Sequence, residues 1–217
     1  MTPRGQLVAT VAALVVATTV LGVPKDGLAG PLDRFLLVSG QLGVSDQPST
    51  PMRTVYARTN PFSLEVRATW LFLERFGVGA GAGWHLRAGT GVAATGDPPT
   101  TTLVQVPVFV EGTLRLALSR GQIVVPYVRG GFDVVVWSEK DGVRDPSGTK
   151  LGVHMGGGAQ FQLPFPELNW EGRLSGNPIL DDIYLHLEGW ARSANNFGAA
   201  GLDLSAVGIG LGLTFLM

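Results

Sequence analysis

From Arg34 onward the chain alternates apolar with polar or small residues in eight separate runs. Side chains along a strand point alternately to opposite faces, so each run predicts a strand with one greasy side. Phe62 to Phe72 is the cleanest, with Phe62, Leu64, Val66, Ala68, Trp70 and Phe72 on one face and Ser63, Glu65, Arg67 and Thr69 on the other. Arg34 to Ser45 sets Leu36, Val38, Leu42 and Val44 against Ser39, Gln41 and Gly43. Phe76 to Ala88 sets Val78, Ala80, Ala82, Trp84 and Leu86 against four glycines, His85 and Arg87. The remaining runs are Leu103 to Leu118, Ile123 to Trp137, Leu151 to Leu163, Ile183 to Arg192 and Leu202 to Met217. Their polar faces carry Gln105, Glu111, Thr113 and Arg115; Tyr127, Arg129 and Asp133; His154, Gln160 and Gln162; then Tyr184, His186, Glu188 and Arg192.

The last run decides the architecture. Ile209, Leu211, Leu213, Phe215 and Met217 alternate with Gly208, Gly210, Gly212 and Thr214. An unblunted apolar edge of this kind invites aggregation in water. Closing the sheet removes the edge, and lipid can cover the greasy face. The expected fold is therefore all-β, an eight-stranded antiparallel up-and-down transmembrane β-barrel over residues 30–217. Tight turns around Glu74-Arg75 and Ser119-Arg120-Gly121 alternate with longer connections at Asp46–Pro61, Gly89–Thr102, Ser138–Lys150 and Ser193–Gly201. That asymmetry matches short periplasmic turns and longer outer loops. Pro164 to Asp182 breaks the pattern: a long connection stands where a periplasmic turn belongs. It reads as an ordered periplasmic insertion, with Leu168 to Leu174 as an alternative ninth strand.

Composition agrees with a membrane setting. Charged residues are 15% of the chain, against a usual value of about 25%, and mean hydropathy is +0.26. Yet beyond Val23 no apolar run reaches the roughly 18 residues that a spanning helix needs. The N-terminus has Arg4, an apolar stretch from Leu7 to Val23, and small residues at Gly27-Leu28-Ala29. Residues 1–29 are read as a cleaved signal peptide, with an uncleaved anchor as the alternative. A net charge of −1 gives no electrostatic ground for nucleic-acid binding, and the absence of cysteine excludes disulfides and thiolate metal sites.

Three segments also look familiar. Val125-Pro126-Tyr127-Val128-Arg129-Gly130-Gly131-Phe132, Gly152-Val153-His154-Met155-Gly156-Gly157-Gly158 and the alternating C-terminus resemble the small outer-membrane barrels of the OmpA/OmpX type. The resemblance covers about residues 32–217. It implies integral residence in the outer membrane of a Gram-negative bacterium and a C-terminal strand recognised by the barrel-assembly machinery. Members usually end on an aromatic residue, whereas here Leu216-Met217 follows Phe215.

The candidate site is the lumen. An eight-stranded barrel is only just wide enough for side chains to fill it. The inward parity gathers Glu65, Arg67, Arg87, Glu111, Arg115, Arg129, Asp133, Glu188 and Arg192, with Asp203 as a further acid. Buried charges must pair, so these predict a salt-bridged plug, with a narrow gated pore as the rival. Inward glycines are expected to leave room for the long Arg and Glu chains. Trp70, Phe72, Phe76, Trp84, Phe161 and Phe215 form the expected interfacial aromatics, most of them near the periplasmic strand ends. Neither calcium-loop nor zinc spacing occurs, and no cofactor or metal is expected. His85, His154 and His186 have Arg87, Gly156 and Glu188 two residues on, unlike the His-x-Ser arrangement of lipid A deacylase barrels. A non-enzymatic structural or interaction role follows. Lipid is the expected contact, with a protein partner at the loops or at 164–182; Arg53, Arg58, Lys140, Arg144 and Lys150 read first as solvated loop charges, with lipopolysaccharide phosphate as their alternative contact. A soluble lipocalin-like carrier is the third reading; it requires the apolar faces to turn inward.

Overall fold

The structure is a computed structural model that describes residues 35–49, 52, 55–56, 61–72, 75–90, 100–118, 122–140, 145–163, 182–198 and 202–217. Residues 1–29 and all but the last residue of the Pro164–Asp182 connection lie outside them, so the expected signal peptide, insertion and ninth strand do too. Eight strands follow one another: β1 (Phe35–Asp46), β2 (Phe62–Phe72), β3 (Phe76–Thr90), β4 (Thr100–Arg115), β5 (Val124–Lys140), β6 (Ser147–Gln162), β7 (Asp182–Ser193) and β8 (Ala206–Leu216). Each pairs antiparallel with its neighbours in sequence, and β8 returns to β1 to close the barrel. The closing seam runs from Leu37↔Leu216 to Asp46↔Val207.

The face assignment follows the predicted parity. Outward residues are apolar and accessible, such as Phe132 at 65% and Met155 at 68%, whereas inward Glu65 and Glu188 retain 2% and 1%. Exposed side chains of this size around a closed sheet need lipid, because water would leave an apolar band uncovered. Among the described residues no helix is long and apolar enough to cross a membrane. The strands supply the apolar surface instead. An inward-facing apolar pocket, which a lipocalin-like carrier requires, is replaced by a polar interior.

Several boundaries differ from those predicted. β4 begins at Thr100 and stops at Arg115 rather than spanning Leu103 to Leu118, and β5 and β6 extend outward to Lys140 and Ser147. Polar residues with strand geometry, such as Ser138 opposite Ser147 and Thr90 opposite Thr100, lengthen these hairpins beyond the apolar belt. Apolar alternation marks only the part in lipid, so the extensions escape it. Lys150, read as a loop cation, therefore lies on β6 and is buried. β8 starts at Ala206 rather than Leu202, which leaves Asp203 in the preceding loop, accepting the Ser205 N–H at 2.9 Å. After β7, Asn196 prolongs the ladder: its N–H donates to the Leu151 carbonyl at 3.0 Å, and its Oδ1 accepts the Leu151 N–H at 2.8 Å.

Inward glycines do more than clear space for ionic chains. A Cβ on Gly81 would overlap the ring of Phe109, one on Gly208 would meet Trp190, and one on Gly210 would meet Gln41. Gly158 is tighter still, because its Cβ would run into the Leu187 carbonyl and the Glu188 backbone of the neighbouring strand. By contrast a Cβ on Gly189, which points outward, meets nothing within 4 Å. Gly158→Val should therefore cost about 3 kcal/mol or more by overpacking. Gly189→Val should stay within about 0.5 kcal/mol of the parent. Urea unfolding of the refolded barrels measures both, and equal losses would contradict the packing described.

Candidate functional site: a charge network in the lumen

Five strands bring ionic side chains together in the middle of the lumen. Glu188 on β7 is the most heavily used acceptor. Its Oε2 takes Arg67 Nη1 and Arg129 Nε, each at 2.9 Å, and the Tyr127 hydroxyl at 2.7 Å. Its Oε1 accepts Arg129 Nη2 at 2.5 Å, which makes that pair bidentate. Arg129 also donates to Glu111 and reaches Glu65 at 3.4 Å, so one guanidinium touches three carboxylates. Arg67 donates a further pair of bonds, to Glu65 at 3.2 Å and to the amide oxygen of Gln41 at 3.1 Å. Arg192 bridges Glu65 at 3.2 Å and Asp133 at 3.3 Å. His154 lies between Asp133 and Glu111, with one ring nitrogen 3.1 Å from each.

Of the nine charged residues expected in this network, the structure joins Glu65, Arg67, Glu111, Arg129, Asp133, Glu188 and Arg192. Arg87 and Arg115 sit at other levels. Arg87 donates to the Ser45 carbonyl at 2.8 Å and to its hydroxyl at 2.9 Å, near the loop end. Arg115 donates to Gln160 at 2.9 Å and lies 5.4 Å from the Tyr184 ring centroid, near the terminus-bearing end. Sequence reasoning left Tyr127, His85 and His154 out of the charged set, although their parity was read as inward. It also passed over Phe109 and Trp190. Phe109 lies under Arg129, 5.9 Å from the guanidinium carbon, and Trp190 lies 5.3 Å from that of Arg192. The parity that placed Glu111 and Glu188 inside would have found both.

Apolar clusters flank the charge network on either side. At the terminus-bearing end Leu37, Leu71, Val125, Tyr184 and Leu216 pack together, with Ala117 against them. At the loop end Met52 and Tyr56, from the connection between β1 and β2, pack on Leu103, Val135, Ala194 and Leu204. The Tyr56 hydroxyl donates to Glu139 at 2.6 Å, which ties this connection to β5. A cavity of about 20 Å³ lies between the network and the terminus-side cluster, lined by Leu37, Ser39, Arg67, Thr113 and Thr214 among others. It is large enough for water.

The aromatics expected at the interfaces divide between the two ends of the barrel. Phe72 faces Phe76 across the first tight turn, and Phe161 and Phe215 lie one residue from the ends of β6 and β8. Trp70 is one outward position above Phe72. Trp84 instead pairs with Leu64, toward the loop end.

Glu188→Ala should be the most damaging single truncation here. It leaves two arginines and a tyrosine without their shared acceptor, and uncompensated buried charge costs about 3–5 kcal/mol. Arg115→Ala, outside the network, should cost clearly less. Denaturant unfolding in detergent or lipid measures the difference, and comparable losses would count against a network centred on Glu188.

No protein-family model and no curated protein matches the sequence. Solved structures do resemble the fold. The outer membrane protein OprG of Pseudomonas aeruginosa aligns with TM-score 0.50 at 12% identity, over 85% of this chain and 95% of its own. Neisserial surface protein A (NspA) aligns with TM-score 0.48 at 9% identity, over 84% and 96%. Ail, the attachment invasion locus protein of Yersinia pestis, gives 0.48 at 12% identity, over 86% and 99%. At such identities the likeness concerns the fold alone, and that fold is the one of integral, eight-stranded outer-membrane β-barrel proteins of Gram-negative bacteria.

Proposed function

We propose that the protein serves in the outer membrane as a structural or interaction barrel. In this reading its lumen is a plug and its loop end is the surface that meets partners. One observation carries the reading: an apolar cluster, a charge network and a second apolar cluster follow one another along the lumen. A solute would have to displace side chains at every level. The outer surface has ordered material to offer, since β3 to β6 continue past the apolar belt as a four-stranded extension. Lipid covers the belt, with the aromatics at Phe72, Phe76, Phe161 and Phe215 at one interface and Trp84 nearer the other. The C-terminal strand is the segment offered to the assembly machinery. Lys140, exposed at the end of β5, is the described cation best placed for lipopolysaccharide phosphate.

The role is non-catalytic in this reading. His85 meets Glu65, His154 meets Asp133 and Glu111, and His186 meets Thr214 and Gln41. Ser193 lies on the outward, exposed face at the end of β7, opposite in parity to His186. A serine, a histidine and an orienting acid must converge for acyl chemistry, and among these residues they do not.

Fractionated outer membranes should contain a heat-modifiable species whose gel mobility changes on boiling. The purified barrel should give no conductance steps in planar bilayers. Steady conductance that shifts on Glu111→Ala or Arg115→Ala would instead establish the narrow gated channel.

A further inference from the structure

The ionic centre of the lumen does not balance if only arginines and carboxylates are counted. Glu65, Glu111, Asp133 and Glu188 meet Arg67, Arg129 and Arg192. Four negative groups face three positive ones, all of them buried. A net buried charge is among the costliest features a protein interior can hold. His154 stands where the missing charge belongs. Its Nδ1 is 3.1 Å from Asp133 Oδ1 and its Nε2 is 3.1 Å from Glu111 Oε2. A carboxylate oxygen only accepts, so each of these contacts needs an N–H, and a neutral imidazole has one.

We infer that His154 is a doubly protonated structural counter-ion, and that its proton is a pH-sensitive lock on the lumen. The surroundings fit a cation. Glu111 faces it from β4, and Asp133 and Arg129 face it from β5. Arg192 is its register partner on β7. The Phe109 ring stands edge-on at 5.3 Å and 67°, holding the imidazole in the plane that reaches both acids. Loss of the proton would leave the network one charge out of balance and set a bare ring nitrogen against a carboxylate. His85 differs: it meets a carboxylate through one ring nitrogen, Nε2, 3.4 Å from Glu65, so a single N–H donated there suffices, and the approach of Arg192 to the same nitrogen at 3.4 Å is then a contact and not a hydrogen bond. The lock holds whether or not the loop end binds a partner.

The test uses the full chain refolded in lipid nanodiscs with ¹⁵N-labelled histidine. At neutral pH both ring nitrogens of His154 should show the chemical shifts of protonated imidazolium, and a single protonated nitrogen would overturn the inference. Variants give an independent readout. His154→Gln should speed unfolding in denaturant by roughly tenfold, because the unpaired carboxylate stays buried. Asp133→Asn placed on top should recover most of that loss by restoring four-to-four balance as three-to-three. In the wild type unfolding should quicken as the medium turns alkaline, and in the double variant this dependence should flatten. Additive losses from the two substitutions would assign His154 a packing role and defeat the lock. Heat-modifiability of each variant shows beforehand that the barrel has closed.

Discussion

Closure governs everything else in this molecule. In hydrocarbon each backbone N–H and C=O must find a partner within the protein, so β8 cannot remain an edge and returns to β1. Eight strands leave a lumen no wider than the side chains that fill it. Once the sheet closes, every inward side chain has to fit with those across from it. Glycines at Gly81, Gly158, Gly208 and Gly210 are part of that fit, since larger residues would strike Phe109, the β7 backbone, Trp190 or Gln41. Pro107 belongs to the same economy of space. It sits inward on β4 at the point where the β3–β4 register is interrupted, between Ala82↔Val108 and His85↔Gln105, and a proline has no N–H to give there.

The lumen is layered by polarity rather than uniformly ionic. Arginines and carboxylates occupy the middle, where Arg129 spans three acids and Glu188 collects three donors. Tyr184 and Leu216 belong to an apolar cluster on one side, and Met52 and Tyr56 to another on the other. Burial lowers the local dielectric, which strengthens the ion pairs between these clusters and raises the cost of any pair left incomplete. That is why the same residues read as a plug and as a sensitive point.

Much of this was legible from alternation alone. Phe62 to Phe72 coincides with β2 at both ends, because all eleven residues lie within the apolar belt. Where strands leave the belt the pattern stops being informative: Thr100 to Thr102 and Ser147 to Lys150 pair in register although both faces are polar. Parity placed Glu65, Arg67 and Glu188 together in one lumen. It could not say that Arg87 and Arg115 stand apart, since height along the barrel depends on register between strands, which no single run encodes. Nor could it anticipate Met52 and Tyr56, which come from a connection and reach the lumen only through a tertiary contact. Apolar residues inside a polar lumen, such as Phe109, break the simple two-face rule and are visible only if parity is trusted over hydropathy.

Some partners in the lumen lie far apart along the chain. Glu65 and Arg192 are 127 positions from one another, Arg67 and Glu188 are 121, and the hydroxyls of Ser39 and Thr214 are 175. Neighbouring strands paired one hairpin at a time cannot bring such groups into contact; they meet when the seam between β1 and β8 joins. An open sheet therefore carries charges that only the finished cylinder neutralises. Charge compensation thereby makes the final step of assembly cooperative: a half-closed barrel has little to gain in lipid, and the completed one has little reason to reopen.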